Sequence, residues 1–421
     1  MRSVSRSLRR VCAQWSRFGP YHIARLRAAH VAFAARGVEL VAFETAGADA
    51  VYNWQDQTDG EAFVHEQVFA GRAFETIPPR EVVREVTATL DRLDPDAVAI
   101  NSYSAPDALA ALAWCRRRRR TAVCFMESKA DDAARSPARE WIKARLVSQF
   151  DAALAGGTPQ REYLVALGFP ERAIFTPYDV VDNAFYRDGA AMARRALASA
   201  RLPGLDGERP VFLASNRFVA RKNLDRLLRA YAAYRDAAEA PWGLVLLGDG
   251  PERPALEALV RERGIEGVTF AGFRQPKDLL AYYGLAGAFV HPALIEPWGL
   301  VVNEAMAAGL PVLVSDRVGS VRDLVTDGET GLLFDPESEA EMARALARVA
   351  SMSDAERAAL AQRAGARVVR WSPERFGEGL WDAVAAGRER SGRGLDPVAA
   401  ALMALLWVGA DRARAHYALP E

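Results

Sequence analysis

Short apolar runs rich in Val, Ile, Leu and Phe alternate along this chain with longer segments whose apolar side chains return every three or four positions. That rhythm is the mark of parallel βαβ units, whose strands are covered on both faces. In the first half it predicts strands at Arg10–Trp15, Val38–Glu44, Ala97–Ser102, Ala122–Glu127, Ala152–Gly156 and Ala173–Tyr178. Helices fall between them at Tyr21–Arg36, Arg80–Leu93, Pro106–Arg117, Ala138–Phe150 and Gln160–Leu167. The stretch Ala46–Thr76 breaks the rhythm and reads as a long loop.

Leu202–Arg209 has the composition of a linker, and a second alternation begins at Pro210. It predicts strands at Val211–Ser215, Gly243–Leu247, Val268–Phe270, Ala288–His291 and Val312–Ser315. The helices are Lys222–Tyr234, Arg253–Arg263, Lys277–Tyr283 and Leu300–Ala308, and from Glu337 onward the chain reads as mostly helical. The expected class is α/β, with two Rossmann-like, doubly wound domains facing a central cleft. The domains are residues 1–190 and 208–370, joined by a linker at 191–207 and followed by helices over 371–421 that are expected to cross back onto the first domain.

Composition narrows the class further. The 421 residues are half hydrophobic, enough for two or three cores, and 54 basic residues balance 54 acidic ones. A neutral chain is not an electrostatic trap for nucleic acid, so no such partner is expected. Three cysteines (Cys12, Cys115, Cys124) form no CxxC pair and no metal-ligand spacing, which fits a reducing compartment. Met1–His30 carries seven arginines but no apolar core of a secretory signal, and the apolar stretch near Val398–Leu406 is too short to span a bilayer. A cytoplasmic placement is expected, with peripheral contact at the inner face of a membrane left open.

The chemistry concentrates in Val290-His-Pro-Ala-Leu-Ile-Glu-Pro-Trp-Gly-Leu-Val-Val-Asn-Glu-Ala-Met-Ala-Ala-Gly-Leu-Pro-Val. A strand ends near His291, a loop carries Glu296, and a helix opens near Gly299 and carries Glu304. Two carboxylates are thus expected on the rim and wall of one cleft. The amides of Gly299, Leu300 and Val301, at a positive dipole end, offer a seat for a diphosphate. Gly299 has no side chain to obstruct it.

The second stretch is Leu213-Ala-Ser-Asn-Arg-Phe-Val-Ala-Arg-Lys-Asn, just past a strand. Arg217 and Lys222 can converge there to neutralise a pyrophosphate and stabilise it as a leaving group. Lys222 is one of only four lysines in a chain that otherwise uses arginine, and Arg221 is expected to be solvated.

These two stretches resemble the retaining GT-B glycosyltransferases of the glycogen-synthase-like group 1 family (family 4). The resemblance runs from about Pro210 to Pro336 and includes Leu247-Gly-Asp-Gly-Pro, Val268-Thr-Phe-Ala-Gly-Phe and Asp327-Gly-Glu-Thr-Gly-Leu-Leu-Phe. It implies a hexosyltransferase that takes a nucleoside diphosphate sugar as substrate, with no cofactor and no metal. It implies that Glu296 binds hydroxyls of the donor sugar and Glu304 those of the ribose. Arg217, Lys222 and the amides after Trp298 would hold the diphosphate, with Phe273 and Arg274 near the base. The acceptor would be a glycan or a lipid-linked sugar, in polysaccharide or glycolipid biosynthesis. A nucleotide-sugar epimerase and a non-catalytic nucleotide-sugar binder are the alternatives.

The first half departs from the family pattern. Its first loop has Phe18-Gly-Pro-Tyr-His, with Gly19 alone in place of a glycine-rich turn, and the third and fourth predicted strands are followed by Asn101-Ser-Tyr-Ser and Glu127-Ser-Lys. Gly19, His22 and Glu127 are the acceptor-side candidates, although a lone histidine there is more often a cap. Asp94-Pro-Asp96 reads as caps and a turn rather than a metal site. Gly248-Asp-Gly250 is not a dinucleotide fingerprint. Arg116–Arg120 reads either as a solvated helix end or as a patch for anionic lipid. Val398–Val408 reads as an extra apolar helix, packed on the core in preference to inserting into a membrane.

Overall fold

Every strand pairing in the two sheets is parallel. The computed structural model describes residues 7–48, 60–196, 202–205 and 209–412. The chain forms two units, one of residues up to Val180 and from Pro373 on, the other of Val181–Ser372.

The first unit starts with β1 (Arg10–Trp15), α1 (Pro20–Ala34), β2 (Glu39–Ala48), β3 (Val64–Ala73), α2 (Pro79–Leu93) and β4 (Ala97–Asn101). It continues with α3 (Pro106–Arg118), β5 (Thr121–Met126), α4 (Pro137–Val147), β6 (Ala152–Ala155), α5 (Thr158–Ala166) and β7 (Ile174–Phe175). The sheet order is β3-β2-β1-β4-β5-β6-β7, so the winding reverses between β1 and β4. The central strands β4, β5 and β6 are buried almost throughout, as expected when helices cover both faces.

The expected loop at 46–76 is corrected by β3, which pairs with β2 along the sheet edge. Its residues, Val-His-Glu-Gln-Val-Phe-Ala-Gly-Arg-Ala, are mostly half-buried, so the apolar run that marks an inner strand is missing. Of that expected loop, Phe74–Thr76 form a 3-10 turn and 49–59 lie outside the described residues.

The second unit opens with α6 (Asn183–Ala196), then β8 (Val211–Ser215), α7 (Leu224–Ala237), β9 (Gly243–Leu247), α8 (Arg253–Glu262), β10 (Val268–Gly272), α9 (Pro276–Leu285) and β11 (Ala288–His291). Next come α10 (Leu300–Ala307), β12 (Val312–Ser315), α11 (Val321–Leu324), β13 (Leu332–Phe334), α12 (Glu339–Ser351) and α13 (Asp354–Val368). The sheet runs β10-β9-β8-β11-β12-β13 and reverses between β8 and β11.

The expected boundary at 190 falls inside α6, which belongs wholly to the second unit. Helix α6 packs on α9 and α10. A Cβ at Gly284 would lie 2.7 Å from the Ala190 carbonyl oxygen, so a bare backbone there lets α9 come this close to α6, while a Cβ at Gly189 would meet only the end of the Leu280 side chain. Of the linker expected at 191–207, α6 takes the start, while 197–201 and 206–207 lie outside the described residues.

The chain ends in α14 (Pro373–Arg390) and α15 (Pro397–Arg412), both in the first unit. Helix α14 packs on α1 and β5, and Gly377 brings it so near α1 that a Cβ there would lie 2.9 Å from the Ala28 carbonyl oxygen. Helix α15 lies against α2, α3 and α4, with Ala399 and Met403 buried and Val398 and Leu405 exposed. Among the described residues no helix is long and apolar enough to cross a membrane.

The arginine run is not a uniform patch. Arg116 is buried and forms a two-pronged ion pair with Asp151, Arg118 pairs with Asp91, and Arg120 pairs with Asp94 and Asp96. Asp96 also accepts the Arg9 amide (2.8 Å), and Asp94 ends α2 in the left-handed conformation, so Asp94-Pro-Asp96 is structural.

Candidate functional site

Strands β8 and β11 are neighbours in the sheet although β9 and β10 separate them in the chain. Their carboxyl ends therefore release two loops side by side, at the place where open α/β sheets leave a ligand crevice.

The loop after β8 is shaped from outside. The Phe218 amide donates to the Asp249 carbonyl (2.9 Å), and the Phe218 carbonyl accepts the Glu252 amide (3.0 Å). This seam needs Gly248 and Gly250, both at positive φ. A Cβ on the first would overlap the Asn216 carbonyl oxygen, and one on the second would overlap that of Phe218. Gly248-Asp-Gly250 is thus a cradle for the loop that carries Arg217. The Arg217 side chain is half-buried and has no ion-pair partner among the described residues.

Helix α7 begins later than the spacing predicts. Lys222 ends a 3-10 turn, and Asn223 follows in the left-handed region at φ 59°, which asparagine tolerates. Buried Asn223 donates from Nδ2 to the carbonyls of Pro292 (3.0 Å) and Pro336 (2.7 Å). The Leu294 amide donates to the Arg221 carbonyl (2.9 Å). These bonds fasten the loop after β8 to the one after β11, and they set Lys222 beside Glu296.

Lys222 Nζ forms an ion pair with Glu296 Oε2. The same oxygen lies 3.2 Å from Nε2 of His291, the fully buried last residue of β11. Burial alone would raise the Glu296 carboxyl, but the Lys222 charge and the His291 hydrogen bond outweigh it and hold the group well below the usual carboxylate range. Burial, reinforced by the Lys222 charge and opposed by Glu296, pushes the His291 imidazole down. The backbone of Glu296 is fixed as well, since its carbonyl accepts the Gly319 amide (3.1 Å).

Gly299 precedes α10 with φ 93°. A Cβ there would lie 2.9 Å from Val318 and 3.2 Å from Glu296 Cγ, so the glycine is required by the protein itself, beyond any need to admit an anion. The amides of Gly299, Leu300 and Val301 have no acceptor inside the helix. They lie just beyond Glu296 in the chain. The Trp298 side chain is buried, donates from Nε1 to Asn303 (3.0 Å) and stacks on Trp371. It braces the helix start and is not open to a ligand.

Glu304 is corrected in its setting. It is 1% exposed, and its two oxygens accept from the hydroxyls of Tyr186 on α6 (3.0 Å) and Tyr283 on α9 (2.6 Å). The carboxylate expected on the inner wall of the cleft is therefore a buried brace joining α6, α9 and α10, engaged by protein hydroxyls. Phe273 and Arg274 follow Gly272 at the end of β10. Phe273 is exposed, and the Arg274 guanidinium lies 5.9 Å from the Tyr282 ring centre.

In the first unit, Gly19 caps α1, and its amide donates to His22 Nδ1 (2.8 Å). Burial and the nearby Arg25 charge hold the imidazole neutral, so His22 is a helix cap with its proton on Nε2. Glu127 is exposed just beyond β5. The structure thus gathers Arg217, Lys222, Glu296, Gly299, Leu300 and Val301 about one sheet reversal. The sequence assigns no role here to Asn223, Tyr186 or Tyr283, names His291 only as a strand end, and names Gly248-Asp-Gly250 only as part of the family pattern. A histidine closing a buried strand and a Gly-Asp-Gly turn after another were the available signals.

Four matches to known proteins bear on the site. Residues 200–367 match the family described as Glycosyl transferases group 1. The D-inositol 3-phosphate glycosyltransferase of Nocardia farcinica is 35% identical over 226 residues, 51% of this chain and 48% of the relative. The GDP-mannose-dependent alpha-(1-6)-phosphatidylinositol monomannoside mannosyltransferase of Mycobacterium tuberculosis is 32% identical over 188 residues, 43% of this chain and 46% of the relative. The chain thus spans under half the length of these two relatives. Among solved structures, Anabaena HepE in complex with UDP and glucose superposes with a TM-score of 0.70 and 17% identity, over 90% of this chain and all of that one. That likeness shows the fold, GT-B, built of two Rossmann-like units.

Proposed function

We propose that the chain, whose residues 200–367 match the family described as Glycosyl transferases group 1, moves a hexose-type sugar from a nucleoside diphosphate sugar to a glycan or lipid-linked acceptor. The configuration at the anomeric carbon is retained and no metal takes part. The observation that carries this reading is the cluster of Lys222, Glu296 and His291 next to the first turn of α10, at the reversal of the second sheet.

Each group has a task in that reaction. The bond from the anomeric carbon to the diphosphate breaks and one to the acceptor oxygen forms, while the acceptor proton passes to the departing phosphate. The amides of Gly299, Leu300 and Val301, with the Arg217 guanidinium, receive the growing negative charge. Lys222 has protons to spare beyond the one facing Glu296, so it can bridge carboxylate and phosphate. Glu296 keeps Oε1 without a partner among the described residues, and this oxygen accepts from a sugar hydroxyl. Glu304, engaged by Tyr186 and Tyr283, reaches the ribose only if a hydroxyl joins that brace. Phe273 and Arg274 lie toward the base. The relatives compared are transferases, which does not favour an epimerase.

The test is calorimetric titration with UDP, GDP and ADP, with and without EDTA. Nucleotide release from UDP-glucose and GDP-mannose is then followed, and product configuration is read by NMR. Selective binding of one nucleotide, insensitive to EDTA and weakened at least about tenfold in Arg217→Ala, supports the proposal. Absence of binding, or equal binding by Arg217→Ala, defeats it.

A further inference from the structure

We infer that His291 is a positioning residue for Glu296: its Nε2–H holds one carboxylate oxygen, Oε2, and so turns the other, Oε1, toward a hydroxyl of the donor sugar. This inference rests on the donor-site reading above.

The geometry assigns the proton. An ionised carboxylate only accepts, so the nitrogen 3.2 Å from Oε2 must be the one bearing hydrogen. Nδ1 is then an unprotonated nitrogen, and among the described residues it is buried without a hydrogen-bond partner. A neutral ring leaves only a weak acceptor uncompensated there, whereas a charged ring would leave a buried N–H donor unpaired. The ring itself cannot drift, because it sits on a fully buried strand end and stacks on Phe289 (16° between planes).

Lys222 contacts the same oxygen but cannot set its direction. An ammonium is a compact point charge with rotating donors on a flexible stem. The imidazole supplies the second, directional bond, and the two together leave Oε1 as the oxygen without a partner among the described residues. Gly299 completes the device. A Cβ there would lie 3.2 Å from Glu296 Cγ and 3.7 Å from His291 Nε2, so the carboxylate arm and the ring occupy the space that the glycine leaves.

Two amide variants separate positioning from packing. The Gln amide in His291→Gln reaches where Nε2 stood, and the shorter amide in His291→Asn reaches only the Nδ1 position. Both are measured for UDP and GDP affinity and for nucleotide release from UDP-glucose and GDP-mannose. His291→Asn is expected to lose up to about 100-fold in kcat/KM, as for a misplaced substrate-binding group, with UDP and GDP affinity unchanged. His291→Gln is expected to stay within about threefold of wild type, the scale of a preserved directional contact. Wild-type kcat/KM in the Asn variant overturns the inference, and so does an equal loss in both variants accompanied by lost nucleotide affinity. A wild-type protein that neither binds UDP or GDP nor releases them overturns the donor-site reading, and this inference falls with it.

Discussion

Lys222 and Glu296 stand 74 positions apart in the chain and meet as an almost buried ion pair. Such a pair is asymmetric in its energetics: removing one partner strands the other charge away from water. Lys222→Met is therefore expected to cost about 3 kcal/mol of stability, read by urea denaturation at pH 7.5. It is also expected to weaken nucleoside diphosphate binding in calorimetry. Stability equal to wild type would show that the charge is solvated in solution.

Acid should act through His291 before it acts through Glu296. The His291 pKa is depressed in the fold, so the unfolded chain binds a proton near pH 6.5 that the native one refuses. This residue adds nothing above that pH, and stability falls as pH drops below it, by at most about 1.4 kcal/mol per unit. Glu296, also depressed, contributes fully above its unfolded value near 4.5, and that contribution is lost only as pH falls further. Unfolding free energies of wild type and His291→Gln, measured from pH 7.5 to 5, should converge toward the acid end. Parallel curves would refute the assignment.

Gly248→Ala probes the cradle without touching a charged group. Its Cβ would overlap the Asn216 carbonyl, and φ is 119°, a conformation that alanine rarely adopts. The loop bearing Arg217 must shift. The expected result is a loss of about 1–3 kcal/mol together with weakened UDP or GDP binding, in thermal melts and titration. A variant that melts and binds like wild type would mean that the turn yields freely.

The brace at Glu304 can be loosened by one atom. Tyr283→Phe removes the hydroxyl 2.6 Å from a buried carboxylate oxygen while the ring packing stays in place. Its expected cost is about 1–3 kcal/mol, measured by denaturant titration. No cost would place a water where the hydroxyl was.

The arginine run should divide in the same assay. Arg116→Ala removes the buried partner of Asp151 and is expected to cost about 3–5 kcal/mol. Exposed Arg117→Ala should stay within about 0.5 kcal/mol of wild type.

Much of the fold was written in local pattern. Inner strands such as Val211–Ser215 and Gly243–Leu247 fall where the apolar runs predicted, because burial on both faces demands uninterrupted apolar residues. The reversal that makes the crevice follows from two successive alternations. The residue types at the crevice, Arg217, Lys222, Glu296 and Gly299, are also visible, since anion binding needs cations and bare amides near a helix start. Edge strand β3 was not visible, because half-covered residues carry a mixed polar pattern.

What only the tertiary structure decided is how those side chains are spent. Local spacing aims Lys222 at a phosphate, yet Asn223 draws its turn onto the loop after β11 and gives it Glu296. Glu304 reads as a presented acid until two tyrosines from α6 and α9 close over it. Helix α6 falls in the second unit, and Gly284 on α9 is what allows its backbone to come close to Ala190. Periodicity reports which face of an element is apolar. Which partner fills that face, and which charge answers which, depends on contacts between residues far apart in the chain, and these exist only once the chain is packed.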